Sequence, residues 1–136
     1  MDNTSFGRGG AIYTQGDLSI TGASFFENTS QSIQGGGALL LAAPRNVEIR
    51  QSVFADNRSL NNAPGGAIRS VAGLMLENIT FSQNEAGGNG GAIKVSGSAL
   101  SEFRFVTFSQ NQTSESGASF YSDNRQCMKA TSPRGA

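Results

Sequence analysis

Two acidic residues, Glu27 and Asp56, are the strongest candidates for chemistry in this sequence. Each lies two positions after a phenylalanine in a repeated pattern, Phe-x-x-Asn. If equivalent repeat positions stack, the two carboxyl groups become neighbours, and retaining glycosidases place two such groups about 5–5.5 Å apart. The next copies of the pattern carry uncharged Gln83 and Gln110 at this position. We therefore expect both acids to decorate a solvated turn, with a polysaccharide-cleaving enzyme as the alternative.

The composition excludes several other kinds of site. The 136 residues include no His, which rules out imidazole bases, Ser-His or Cys-His nucleophiles and His-ligated metals. The single Cys127 cannot form an intrachain disulfide, and no carboxylate-rich calcium loop occurs in the sequence. Ten basic and ten acidic residues cancel, which argues against nucleic acid as a partner. We expect no enzymatic activity, no cofactor and no metal.

Two short motifs alternate along the chain at a nearly constant interval. Phe-x-x-Asn occurs four times, with Phe-to-Phe spacings of 29, 27 and 27 residues. Gly-Gly-Ala followed by an aliphatic residue also occurs four times, and a degraded fifth copy spans Ser116–Ser119. An apolar-x-apolar pair lies between the two motifs. The motif residues are Gly9, Gly10, Phe25, Asn28, Gly36, Gly37, Phe54, Asn57, Gly65, Gly66, Phe81, Asn84, Gly90, Gly91, Phe108 and Asn111.

Each repeat unit consists of short stretches with period-2 apolar character, separated by Asn, Gln, Ser and Gly, a pattern typical of strands. One unit cannot bury its apolar side alone, so neighbouring units must stack. The sequence therefore predicts an all-β fold, a right-handed parallel β-helix of about five coils with about 27 residues per coil. It predicts a single domain over 1–124, with coils near 3–28, 29–57, 58–84, 85–111 and 112–124, and a frayed tail or partial cap over 125–136.

Stacking turns equivalent repeat positions into columns. The motif Phe residues are expected to form an inward aromatic ladder. The motif Asn residues end a strand, tolerate left-handed backbone angles and can bond the Asn of the next coil. The paired glycines suit a corner that needs positive φ or close backbone approach. Exposed ion pairs that hold the register are predicted for Arg50, Glu77 and Arg104 in one column and for Arg58 with Glu85 in another.

The position that follows the Gly-Gly-Ala-aliphatic motif is the candidate contact surface. If this column faces outward, it presents aromatic ends and two central cations to a partner or an acidic glycan. Otherwise its side chains only cover a sheet. The column contains Tyr13, Leu40, Arg69, Lys94 and Phe120. Unpaired edges of the terminal coils make edge-to-edge self-association a further prediction.

The segment Gly9–Tyr13, Gly-Gly-Ala-Ile-Tyr, alternates with Phe-x-x-Asn and resembles the repeats of chlamydial polymorphic outer membrane proteins. The resemblance covers the chain from about Asn3 to about Phe120. It implies the β-helical passenger of an autotransporter, attached to the membrane only through a barrel of the parent protein. The expected function is a non-enzymatic adhesion or display module, extracellular or at the cell surface. Its partner would be a protein or glycan of a host or neighbouring cell.

Two alternatives to this function remain at the level of sequence. The first is a carbohydrate-active enzyme or a glycan-binding β-helix, which an acidic cluster along one sheet would favour. The second is a purely structural spacer without any partner. The sequence offers one stacked acidic pair, Glu27 and Asp56, for the first alternative.

Overall fold

Strands dominate the computed structural model of the chain, which describes residues 4–5, 9–42, 46–96, 101–114, 119–122 and 128–131. No helix occurs in these ranges. The strands are β1 (Thr4–Ser5), β2 (Ile12–Thr14), β3 (Leu18–Thr21), β4 (Ser24–Phe26), β5 (Thr29–Ser30), β6 (Leu39–Leu41), β7 (Val47–Ala55), β8 (Arg58–Ser59), β9 (Ile68–Ser70), β10 (Met75–Ser82), β11 (Glu85–Ala86), β12 (Ile93–Val95), β13 (Ser101–Ser109), β14 (Gln112–Thr113), β15 (Phe120–Ser122) and β16 (Met128–Thr131).

The strands form three sheets, which we name A, B and C. Sheet A has the order β1-β5-β8-β11-β14, sheet B the order β2-β6-β9-β12-β15, and sheet C the order β3-β7-β10-β13-β16, with β4 also paired to β7. Every strand pair in the described residues is parallel. The fold is a parallel β-solenoid of about four turns. This confirms the predicted all-β fold class and the predicted parallel β-helix. Right-handed winding stays a prediction from the crossover rule.

The motif Phe residues form one inward column of the core. Neighbouring rings from Phe25 to Phe108 are stacked, with centroids 4.8, 5.0 and 5.3 Å apart. Their planes deviate by only 8–13° because parallel strands in register repeat the same side-chain position about 4.8 Å further along the axis. The aliphatic residue after Gly-Gly-Ala forms the inward column of sheet B, with Leu39, Ile68 and Ile93 in the core.

The motif Asn residues form a second buried column, which is held together by hydrogen bonds. In each step, the Oδ1 atom of one Asn accepts bonds from the backbone N–H and the Nδ2 of the Asn in the preceding coil. This pattern joins Asn28 to Asn57, Asn57 to Asn84 and Asn84 to Asn111, with donor–acceptor distances of 2.9–3.0 Å. From Asn57 onward, Nδ2 also donates to the carbonyl of the preceding coil's motif Phe. Buried amides are thereby paired, which avoids the penalty of desolvating them unpaired.

The left-handed backbone position lies one residue before each motif Asn. Glu27, Asp56, Gln83 and Gln110 have φ values of 55–56°, and they form the corner between sheets C and A. The expectation that the Asn itself tolerates these angles therefore misplaced the turn by one residue. The Asn side chain instead forms the ladder, and the residue before it turns the chain from sheet C into sheet A. The side chains at this corner consequently project into solvent.

Glycine is needed at the two positions of each pair for different physical reasons, as Gly65 and Gly66 illustrate. Gly65 has a φ of 71°, which favours a residue without a Cβ. At Gly66, a Cβ atom would lie only 2.0 Å from the carbonyl oxygen of Gly91 in the next coil. The pair thus combines a left-handed corner with a close approach between neighbouring backbones.

Substituting the second glycine should therefore strain the stack of coils. We expect Gly66→Ala to lower the free energy of unfolding by about 1–3 kcal/mol, the cost of overpacking a tight interior. Gly16→Ala is the matched control because only Thr14 Oγ1, at 3.9 Å, approaches the added methyl group. Urea denaturation followed by circular dichroism would compare the two variants. Equal midpoints would show that the coils can separate at no cost.

The last turn is described in part. Within the predicted tail 125–136, strand β16 pairs with β13 and sets Ala130 opposite Phe103. These four residues thus extend sheet C by one strand. The rest of the tail, Cys127 and most of the degraded copy Ser116–Ser119 lie outside the described residues, as does Asn3.

Candidate functional site

The predicted contact column lies on the outer side of sheet B and offers little accessible surface. The register aligns Tyr13, Leu40, Arg69 and Lys94. Leu40 is only 3% exposed and Lys94 only 8%. The Nζ atom of Lys94 lies 5.0 Å from the centroid of the Tyr121 ring, a cation–π arrangement. Neighbouring side chains of this column thus cover one another. This favours the interpretation in which the column only covers the sheet and does not contact a partner.

The assignment of Phe120 to this column was wrong. The register places Phe120 beside Ile93, in the inward aliphatic column, and Tyr121 beside Lys94. Phe120 packs edge-on against Phe103, with centroids 5.2 Å apart and an interplanar angle of 89°. The degraded motif has Ser119 in the alanine position, and its carbonyl accepts the bonds that Ala92 accepts in the turn before. Counting 27 residues from Ile93 would have found the correct alignment.

The acidic pair Glu27 and Asp56 lies at the corner between sheets C and A. Both residues are exposed, and together with Thr29 and Arg58 they line a shallow depression. A glycosidase acid is normally kept protonated by an apolar, water-poor pocket. The open corner provides no such pocket, and Gln83 continues the row in the next coil. The geometry is that of solvated surface residues.

A second depression follows the outer side of sheet A, and we name it the sheet A groove. Its cavity volume is about 680 Å³. The floor carries the outward residues of the sheet A strands, and one wall is the row of corner residues described above. Neighbouring hollows at Glu27 and at the turn Leu60–Asn62 extend it. The lining residues are Asp56, Arg58, Gln83, Asn84, Glu85, Gln110, Asn111 and Gln112.

Ion pairs between coils organise the exposed charges. Arg58 Nε lies 2.8 Å from Glu85 Oε1 on the groove floor, as predicted for that pair. On sheet C, Arg50 Nε lies 3.1 Å from Glu77 Oε1. The register sets Arg104 opposite Glu77, but the guanidinium of Arg104 lies 3.7 Å from Glu102 on its own strand. These pairs neutralise one another locally, and exposed pairs of this kind contribute about 0–1 kcal/mol each.

The described part of the chain contains neither a metal-binding cluster nor a membrane-spanning helix. No group of three or more His, Cys, Asp or Glu side chains there is arranged to hold a metal ion. The described residues also contain no helix that is long and apolar enough to cross a membrane.

The comparison with protein families identifies the repeat. Residues 78–96 match the family model of the Chlamydia polymorphic membrane protein repeat. The matched segment contains one complete motif pair, from Phe81–Asn84 to Gly90–Ile93. Over these residues the chain is similar to the Chlamydia polymorphic membrane protein repeat. No curated protein and no solved structure matches the chain significantly.

This match confirms the resemblance to polymorphic membrane protein repeats that the two motifs indicated. The family of these repeats is one of non-enzymatic surface proteins, whose members are associated with the outer membrane or the cell surface. Repeat family and solenoid fold together favour a passenger-like module of a surface protein.

The groove itself was missed by sequence reasoning. The repeat pattern predicted the corner column with Gln83 and Gln110 and the floor pair Arg58 and Glu85. It did not indicate that these two columns lie side by side. A groove arises only where the corner row and sheet A meet at an angle. The available signal was that both polar columns flank the same buried Asn column, at positions −1 and +1.

Proposed function

We propose that the chain is a non-enzymatic module of a cell-surface protein, a passenger-type segment that serves adhesion or display outside the cell. The observation that carries this proposal is the contrast between inward and outward columns. Phe and Asn are identical in all four inward copies, whereas one outward position of sheet A holds Thr29, Arg58, Glu85 and Gln112 in turn. In such a scaffold the inward columns stabilise the fold, so the outward residues can differ from coil to coil.

The partner in this proposal is a protein or glycan on the surface of a host or neighbouring cell. The chain has no net charge, which favours recognition by shape and hydrogen bonding over electrostatic attraction. Individual contacts on an open surface are weak, and parallel display of many copies would raise the apparent affinity by about 10²–10⁴.

Adhesion can be tested with beads that carry many copies of the purified chain. We expect the beads to bind cultured animal cells saturably, and the free chain to compete for the same sites. Beads coated with an unrelated protein of similar size and neutral charge serve as the control. Flow cytometry would measure the fraction of bound beads. Binding no better than that of the control, on every cell type tried, would contradict adhesion and favour the structural spacer.

A further inference from the structure

We infer that the sheet A groove binds a neutral oligosaccharide that lies along the solenoid axis. The inference rests on the proposed adhesive function and names the class of partner. Three primary amides, those of Gln83, Gln110 and Gln112, stand together in the groove and are exposed. Each amide offers two donors and one acceptor oxygen, which is the chemistry that recognises sugar hydroxyl groups.

The charge pattern of the groove argues for an uncharged ligand. Its cation, Arg58, is already paired with Glu85 at 2.8 Å. Asp56 and, beyond it, Glu27 leave one end of the groove acidic. Sulfated or sialylated chains would be repelled there, and no cluster of basic side chains compensates among the lining residues.

The lining also argues against an apolar peptide. None of the eight residues that line the groove itself has an aliphatic or aromatic side chain, and Leu60 and Ala86 line only the neighbouring hollow. Peptide grooves normally gain affinity by burying apolar anchors, and this groove offers none. A ligand rich in hydroxyl groups can instead exchange its water contacts for amide and carboxylate contacts along the whole groove.

The row of amides projects from backbone that is held in place by hydrogen bonds. Gln83 and Gln110 hold equivalent positions of successive coils, both with a φ of 55°. Each is followed by an Asn of the buried ladder, whose hydrogen bonds fix the backbone at that point. Like groups therefore recur at the strand spacing of about 4.8 Å, which suits a polymer of like units. A wall that is already ordered limits the entropy lost on binding.

The test uses the purified chain on beads and an array of defined sugars. The probes are neutral hexasaccharides of glucose, galactose and mannose, a heparin hexasaccharide and sialyllactose. We expect binding to at least one neutral hexasaccharide and none to the two acidic probes. Preference for an acidic probe, or binding to none, would overturn the inference.

Substitutions by glycine separate the groove from the scaffold. Gln83→Gly with Gln110→Gly removes both amides and suits the positive φ, so the fold should persist, as circular dichroism would verify. We expect this double variant to lose about tenfold in affinity for the neutral hexasaccharide, as befits two lost hydrogen bonds. Gln51→Gly is the matched control, because Gln51 is exposed with a φ of 51° on sheet C, outside the groove. An equal loss in both variants would contradict the groove.

Cell binding distinguishes failure of this inference from failure of the proposed function. Cells treated with glycosidases that remove neutral glycans should lose bead binding. If beads bind treated and untreated cells equally, the partner is not a neutral glycan, and adhesion stands while the glycan groove fails. If beads bind no cells but the array shows a neutral ligand, the groove stands and adhesion fails.

Discussion

Replacing Phe81 by Ala should lower the free energy of unfolding by about 3–5 kcal/mol. Phe81 is 0% exposed and stacks between Phe54, at 5.0 Å, and Phe108, at 5.3 Å. The gap left by the ring cannot close, because strand pairing on both sides holds the neighbouring coils at their spacing. The variant therefore loses both the transfer free energy of the ring and its contacts with two other rings.

Urea denaturation followed by far-ultraviolet circular dichroism would measure this loss. Phe26→Ala is the matched control, since Phe26 is on the same sheet but 40% exposed. Phe81→Leu keeps most of the apolar volume but removes the aromatic stacking. The free energy lost with the stacking is about 0.5–1.5 kcal/mol, in addition to any lost burial. Similar midpoints for Phe26→Ala and Phe81→Ala would show that the ring stack is not the centre of the core.

Replacing Asn84 by Ala should destabilise the fold by about 3 kcal/mol or more, because it leaves several buried groups unpaired at about 1–3 kcal/mol each. Its Oδ1 accepts the backbone N–H and Nδ2 of Asn57, both at 3.0 Å. Its Nδ2 donates to the Phe54 carbonyl at 2.9 Å and to Asn111 Oδ1 at 3.0 Å. The substitution therefore interrupts the ladder on both sides.

Hydrogen exchange and denaturation together would test this prediction. The backbone amide of Asn57 should exchange much faster in Asn84→Ala than in the unaltered chain, since its acceptor is gone. Gln112→Ala, an exposed amide close to the ladder in the next coil, should leave both the exchange rate and the unfolding midpoint nearly unchanged. Slow exchange at Asn57 in Asn84→Ala would mean that another acceptor replaces the side chain.

The two substitutions bear on function as well as on stability. Strand pairing sets the distance between coils, and the Asn ladder holds the backbone next to Gln83 and Gln110 at the groove wall. Ligand binding in the groove is therefore expected to depend on the ladders, although no ladder side chain needs to supply a hydrogen bond to the ligand. The glycine variants at the wall test binding without disturbing this support.

Much of the scaffold could be predicted from the motifs, because a parallel solenoid stacks each residue on its equivalent in the next coil. The intervals of 27 and 29 residues therefore predict the Phe and Asn columns and the pair Arg58 and Glu85, and the structure confirms them. The prediction was wrong for Phe120, where substitutions had degraded the motif. The direction of that side chain depends on a register that one residue's shift reverses.

The sequence by itself determined that this protein is a stack of repeats with recurring inward Phe and Asn columns, because the spacing of its motifs permits only like-on-like pairing. The tertiary structure alone decided which outward columns are accessible. Leu40 and Lys94 face outward but are nearly buried, whereas Gln83 and Gln110 stand free at the corner. Accessibility depends on the angle between sheets and on the path of the connecting turns, and no local pattern of residues encodes either.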